Sequence, residues 1–308
     1  MTSSVAAPLV ARPRTRERVV ARLQAGLPKL VLAPSFAAIL LFVYGFILWT
    51  VYLSFTRSRL LPVYELAGFD AYERLWSQPN WWKAIENLAI FGILYIGVCI
   101  ALGLLLAILL DQKIRGEGVL RPIYLYPMAL SFIVTGTAWK WFLNPGLGLE
   151  KTMHAWGLTW FKFDWLVNPD MAIYTVVIAG VWQASGFCMA MFLAGLRGID
   201  SEIMKAAQID GASTFALYRR IVIPLLRPVF LSAFIVLAHM AIKSYDLVIA
   251  LTGGGPGNAT ELPSTFMYSY TFTRNQMAVG AASAVIMLMT ICAIIVPYLY
   301  SELREKNQ

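Results

Sequence analysis

"LRGIDSEIMKAAQIDGASTFALYRRIVIPLLRP" (Leu196–Pro228) is a charged, helix-forming stretch between two long apolar segments. Asp200 or Ser201 can cap a helix, with Glu202 in its first turn, where the helix dipole favours a negative charge. The run "EIMKAAQI" has high helix propensity. Gly211 interrupts it, and Ser213 or Thr214 can cap a second short helix, "FALYRRIVI". Pro224 closes that helix and, with Pro228, fits the first turn of the next apolar segment. The stretch therefore predicts two short helices joined by a glycine elbow. Ala206 and Ala207 are small enough to let another surface approach, as a helix seated in a partner's groove requires. An amphipathic helix on the inner leaflet, drawn there by Lys205, Arg219 and Arg220, fits the same pattern.

The apolar flanks decide the solvent. Of 308 residues, 59% are hydrophobic and only 14% charged, against about a quarter charged in soluble domains, and the mean hydropathy is +0.65. A bilayer crossing takes roughly 20 apolar residues. Six blocks qualify: Leu30–Phe55, Leu88–Leu110, Leu120–Phe142, Met171–Leu196, Pro224–Leu251 and Met277–Tyr300. They leave little chain for a soluble domain, and no fixed-period repeat or low-complexity tract interrupts them. The expected fold is an all-α integral membrane protein of six transmembrane helices. Its expected parts are a basic N-terminal segment (1–29), the membrane domain (30–300, with the jointed loop at 197–223) and a tail (301–308).

The net charge of +8 is explained by topology rather than by nucleic acid. With the N-terminus inside, the inner segments hold 16 lysines and arginines, the outer loops hold 8, and Lys243 lies within a span. Positive charge collects on the cytoplasmic side, so both termini are expected there. The opening "ARPRTRERVVARLQ" has the basic character of a signal peptide, but the apolar block behind it is too long and lacks a convincing cleavage site. It reads as a retained first helix.

Cys99, Cys188 and Cys292 fall in three different blocks and read as packing residues, with no disulfide framework. His154 and His239 are too far apart in sequence to suggest a zinc site. In the first outer loop the tryptophans of "QPNWWKAIEN" suit an interfacial helix. In the second, "NPGLGLEKTMHAWG" and "DWLVNPD" carry turn signals, and in the third "LTGGGPGNAT" ends the fifth crossing.

Polar residues inside a crossing are expensive and mark function by default. The fifth block holds "HMAIKSYDL", with His239, Lys243, Ser244 and Asp246. Lys243 and Asp246 are spaced to pair on one helix face; both also suit snorkelling at the outer end. The fourth block holds "GVWQASGF". Gln183 offers an amide and Trp182 an apolar ring face, a combination suited to a sugar's hydroxyls and C–H faces. Gly180, Ala184 and Gly186 equally suit tight helix packing. Trp139 and Lys140 read as interface anchors.

"KAAQIDGASTFALYRRIVIPLLRP" resembles the cytoplasmic EAA loop of permease subunits in binding-protein-dependent ABC importers. The resemblance implies a type I importer transmembrane domain whose coupling helix sits in a cleft of the ATP-binding subunit. It places that contact on Lys205, Ala206, Ala207, Asp210, Gly211 and Ala212. One departure stands out: Lys205 occupies the position of the usual Glu, and a positive group cannot make the same ion pair. "LTGGGPGNAT" and "LDQKIRGEGVLRPIYLYPMALS" look like the carbohydrate-uptake permeases related to the larger maltose-importer permease. "YLYPMALSFIVTGTAWKW" and "MAMFLAGLRG" look most like permeases of glucose/mannose importers. The likeness spans roughly Lys29 to Arg304.

The resemblance further implies that His239–Asp246 line a translocation cavity, and that Trp182, Gln183 and Phe187 face the sugar. Its implied partners are a second homologous permease, a dimer of ATP-binding subunits and a periplasmic or lipid-anchored sugar-binding protein, all at a bacterial inner membrane. No GxxxxGK[ST] sequence occurs here, so ATP and Mg2+ are expected on a separate ATPase. A disaccharide, polyol or glycerol phosphate cargo remains compatible. So do a stand-alone secondary transporter and a membrane enzyme using Asp164 and Asp170, although both aspartates sit among turn signals.

Overall fold

A computed structural model describes residue 29, residues 31–112 and residues 116–305. Most of the basic segment expected at 1–29, Lys113 and Arg115 of a loop expected inside, and the last three residues of the tail expected at 301–308 lie outside the described residues. Regular structure there is helical, with an isolated bridge between Thr56 and Leu66. The chain falls into two compact bodies, Met1–Tyr52 and Leu53–Gln308.

In the first body runs most of helix α1 (Val31–Ser54), which widens into a π turn at Leu40–Gly45. The second body holds α2 (Asp70–Ser77), α3 (Pro79–Asp111), α4 (Glu117–Ala129), α5 (Phe132–Phe142) and α6 (Leu149–Ala155). There follow α7 (Ala172–Arg197), α8 (Ser201–Ile209), α9 (Thr214–Leu225), α10 (Arg227–Ile242), α11 (Asp246–Leu251), α12 (Pro263–Tyr268) and α13 (Met277–Glu305). Among the described residues four helices, in α1, α3, α7 and α13, are long and apolar enough to cross a membrane. The pairs α4–α5 and α9–α10 reach that length only together, bent by 100° and 64°.

The third apolar block, Leu120–Phe142, is thus divided between two helices bent by 100°. Pro122 and Pro127 both lie inside α4, where each removes a main-chain donor. Leu130 then turns extended (φ −80°, ψ 145°), and the Ser131 hydroxyl caps α5 by accepting from the Val134 N–H. The fifth block is likewise divided. Tyr218–Val222 forms a π turn just ahead of Pro224, the loosened geometry by which a helix accommodates a proline. A second break at Lys243–Tyr245 separates α10 from α11.

The core is built on α3 and α7. From Trp81 to Leu110 the buried positions of α3 recur every three or four residues, the stripe one helix face presents. Most of α7 is buried, between α3, α4, α10 and α11. Lipid is as apolar as leucine, so close van der Waals packing rather than transfer out of water holds such helices together. Gly186 shows what this demands: a Cβ there would lie 2.9 Å from the Tyr124 carbonyl carbon. The small residues of α7 therefore serve packing, one of the two readings of the sequence.

A second cluster forms where Leu75 of α2, Trp81 of α3, Phe266 of α12 and Ala282 of α13 meet. Phe266 stacks on Tyr270 at 3.9 Å and lies 5.1 Å from Trp81. "QPNWWKAIEN" is accordingly no separate interfacial helix. It forms the first turns of α3, with Trp81 1% exposed and Trp82 exposed. Cys99 and Cys188 are buried as expected, whereas Cys292 is exposed, so packing within this chain does not account for it.

Candidate coupling site and translocation path

The jointed stretch folds as two capped helices. The Asp200 carboxylate accepts from the Glu202 N–H at 2.9 Å and starts α8; the Ser213 hydroxyl accepts from the Ala216 N–H and starts α9. Between them the Ala212 N–H donates to the Ala207 carbonyl at 3.0 Å, and the Gly211 N–H to that of Gln208 at 3.1 Å. This is a Schellman motif, which needs its C′ residue left-handed. Gly211 has φ +82° and open space around its Cβ position, so conformation, not crowding, requires glycine.

The six residues expected to make the coupling contact do not share one environment. Ala207 is 8% exposed and joins the main core, with Ala212 packed against that core. Ala206, Asp210 and Gly211 are exposed. Lys205 is exposed too, its Nζ 3.0 Å from Glu202 Oε1 on its own helix; exposed pairs of this kind contribute about 0–1 kcal/mol. Sequence reasoning passed over the largest features of this surface. Ile209 is 85% exposed and Phe215 73% exposed, one on each side of the elbow. The signal was an apolar residue flanking the glycine on each side in an otherwise polar run. At the base of the loop, Arg197 bonds Glu117 of α4 at 2.5 Å and lies 3.9 Å from Asp111 of α3.

The residues expected to line the path divide into two groups. Trp182 is exposed on α7, and its ring meets that of Trp139 edge-on at 5.8 Å. Trp139 therefore packs against Trp182, while Lys140 is exposed in the last turn of α5. Gln183 is buried; its Nε2 donates to the Leu130 carbonyl at 2.8 Å, and its Oε1 has no partner. The break between α4 and α5 thus uses the amide donor the sequence suggested for sugar. Phe187 is half-buried against the main core.

The second group surrounds the break after α10. Lys243 ends α10 and Asp246 begins α11, so they are not on one continuous helix face, and no ion pair joins them. Both are exposed. The Ser244 hydroxyl donates back to the Met240 carbonyl at 2.8 Å. His239 lines a shallow apolar groove with Ile291, Ile294 and Ile295 of α13. In the loop between α6 and α7 Asp164 pairs with Lys162 at 3.1 Å, and the Asp164 carbonyl and Asn168 side chain accept turn hydrogen bonds. The arrangement is structural, as the turn signals implied. Among the described residues no group of three His, Cys, Asp or Glu is placed to hold a metal.

Residues 99–305 match the family described as the binding-protein-dependent transport system inner membrane component. The chain belongs to this family. It is an ABC importer permease, a multi-pass inner-membrane transporter subunit and not an enzyme. A probable ABC transporter permease of Pyrococcus horikoshii is 42% identical over 88% of this chain and 94% of its own length. The xylose/arabinose import permease of Haloferax volcanii is 35% identical, covering 85% of this chain and 84% of its own. A chain of a bacterial ABC transporter involved in importing the acidic polysaccharide alginate superposes with a TM-score of 0.79 at 19% identity. That likeness covers 93% of this chain and 99% of the other, and it identifies the fold as the type I importer permease fold.

The elbow is continuous with α10 through the 64° bend, and α10 leads to the break at Lys243–Tyr245.

Proposed function

We propose that this permease forms half of a sugar translocation path and is driven by an ATP-binding subunit seated on the α8–α9 elbow. Each bent pair counts as one crossing, giving six, and the bias of lysine and arginine puts both termini in the cytoplasm. A second, homologous permease supplies the other half of the path. A periplasmic or lipid-anchored binding protein delivers a monosaccharide of the glucose/mannose type, and ATP and Mg2+ stay on the ATPase. The xylose/arabinose name of the Haloferax relative favours a pentose as the second reading.

The observation that carries the reading is the pair Ile209 and Phe215, apolar and exposed on either side of the elbow. Apolar side chains held outward on a rigidly capped joint suit a partner's cleft. Lys205, turned to Glu202, leaves that contact to shape and apolar area rather than to the ion pair of the usual Glu. ATP binding closes the partner subunits, the elbow moves as a lever, and the crossings exchange inward- for outward-facing states. Gln183 Oε1 and the Trp182 ring are the sugar-facing groups on α7.

The test is reconstitution with the partner subunits in vesicles. ATP hydrolysis is measured with binding protein loaded with glucose, mannose, xylose or maltose. Stimulation by glucose or mannose is expected; stimulation by none of the four contradicts the monosaccharide reading.

A further inference from the structure

A cavity of about 330 Å³ opens among the outer loops between α11 and α13, apart from Trp182 and Gln183. Its size is at the small end of the range of about 300–1,000 Å³ found for small-molecule sites, and suits one sugar ring better than a chain. The rings of Tyr245 and Tyr268 line it with centroids 4.8 Å apart. Asn258 adds an exposed amide. The Arg274 guanidinium donates to the Tyr270 hydroxyl at 3.0 Å and lies over that ring, one partner for a group with five donors. The Glu261 side chain, 7% exposed, lines the same space, and its Oε2 has no hydrogen-bond partner. A buried polar group left unbonded is unfavourable. A ligand hydroxyl would relieve it.

We infer that this cavity is an entry subsite for a neutral monosaccharide, on the outer side of the path and next to the break at Lys243–Tyr245; the inference rests on the sugar-importer reading. Aromatic faces take the C–H surface of a sugar ring, while Asn258, Glu261 and Arg274 meet its hydroxyls. The carboxyl and guanidinium share one small space, so a phosphate ester that satisfied Arg274 would be set against Glu261. Burial lifts the Glu261 carboxyl to about 7 against the opposing pull of Arg274, which lets it donate as well as accept near neutral pH. Gly253, Gly254 and Gly257 shape the wall with left-handed backbones.

The test uses the permease–ATPase complex in nanodiscs without binding protein. Asn258→Cys is introduced beside Cys292→Ser, and its labelling by a membrane-impermeant maleimide is timed with added glucose, mannose, xylose or maltose. Ser77→Cys, on α2 and outside the cavity, serves as the control. The sugar that stimulates uptake should slow labelling at position 258 and leave position 77 unchanged. Adding Tyr268→Ala should raise the half-protecting sugar concentration about tenfold, whereas Tyr268→Phe, which keeps the ring, should leave it near the parent value. Absence of protection while the intact transporter still takes up that sugar overturns the subsite, as does equal slowing at 258 and 77. If no sugar is taken up at all, the importer reading itself fails and the subsite with it.

Discussion

Gln183 Nε2 donates a 2.8 Å hydrogen bond to the main-chain carbonyl of Leu130, tying the middle of α7 to the residue at which α4 ends. Leu130 is extended, so its carbonyl is outside the helical hydrogen-bond pattern, and the amide answers a need created by the bend. Replacing Gln183 by Leu should strand that carbonyl and lower the stability of the assembled transporter by about 1–3 kcal/mol. Thermal melting in detergent checks this; an unchanged midpoint would show that water or another group serves the carbonyl.

Gly186 faces the Tyr124 main chain with no room for a methyl group, whereas Gly97 has nothing within 4 Å of its Cβ position. Gly186→Ala should separate α7 from α4 and destabilise by about 1–3 kcal/mol. Gly97→Ala should be neutral or stabilise by up to about 1 kcal/mol. Equal melting shifts for the two would contradict the close approach.

Glu261 gives a pH dependence whose sign follows from burial. Its carboxyl is raised from 4.5 to about 7, so the folded protein holds the proton more tightly than the unfolded chain. The contribution to stability is complete below about pH 4.5 and is lost as pH rises through about 7. The Arg274 charge opposes the shift, and Tyr245 and Tyr268 line the same cavity. The melting temperature should fall between about pH 5 and 8 by more in the parent than in Glu261→Gln. Parallel curves would mean that Glu261 is ionised throughout.

Gly211 is glycine for its φ of +82°. Gly211→Ala should cost about 1–2 kcal/mol of elbow geometry, and a bulky residue should uncouple ATP hydrolysis from uptake in reconstituted vesicles. Full uptake with tryptophan at this position would remove the elbow from the coupling route.

Much of the fold can be read from residue patterns. The elbow at Gly211, the caps at Asp200 and Ser213 and the long apolar runs all depend on neighbours in sequence. The bends are less legible. Pro122 and Pro127 lie inside α4, but the 100° turn comes at Leu130–Ser131, supported by Gln183 more than fifty residues away. Lys243 and Asp246 have helical spacing, yet Tyr245 donates to the Lys243 carbonyl in a tight turn and the helix ends. The site residues follow the same rule. Ile209 and Phe215 were visible as apolar interruptions, whereas Glu261 becomes notable only once its oxygen is seen buried without a partner.

In the proposed mechanism the elbow meets an ATP-binding subunit in the cytoplasm. Ile209→Cys, made beside Cys292→Ser, tests this through labelling by an impermeant maleimide in sealed vesicles of known orientation. Labelling should occur only where the cytoplasmic face is exposed and the ATPase has been stripped, and re-adding the ATPase should suppress it. Labelling from the outer face, or labelling indifferent to the ATPase, would contradict the account.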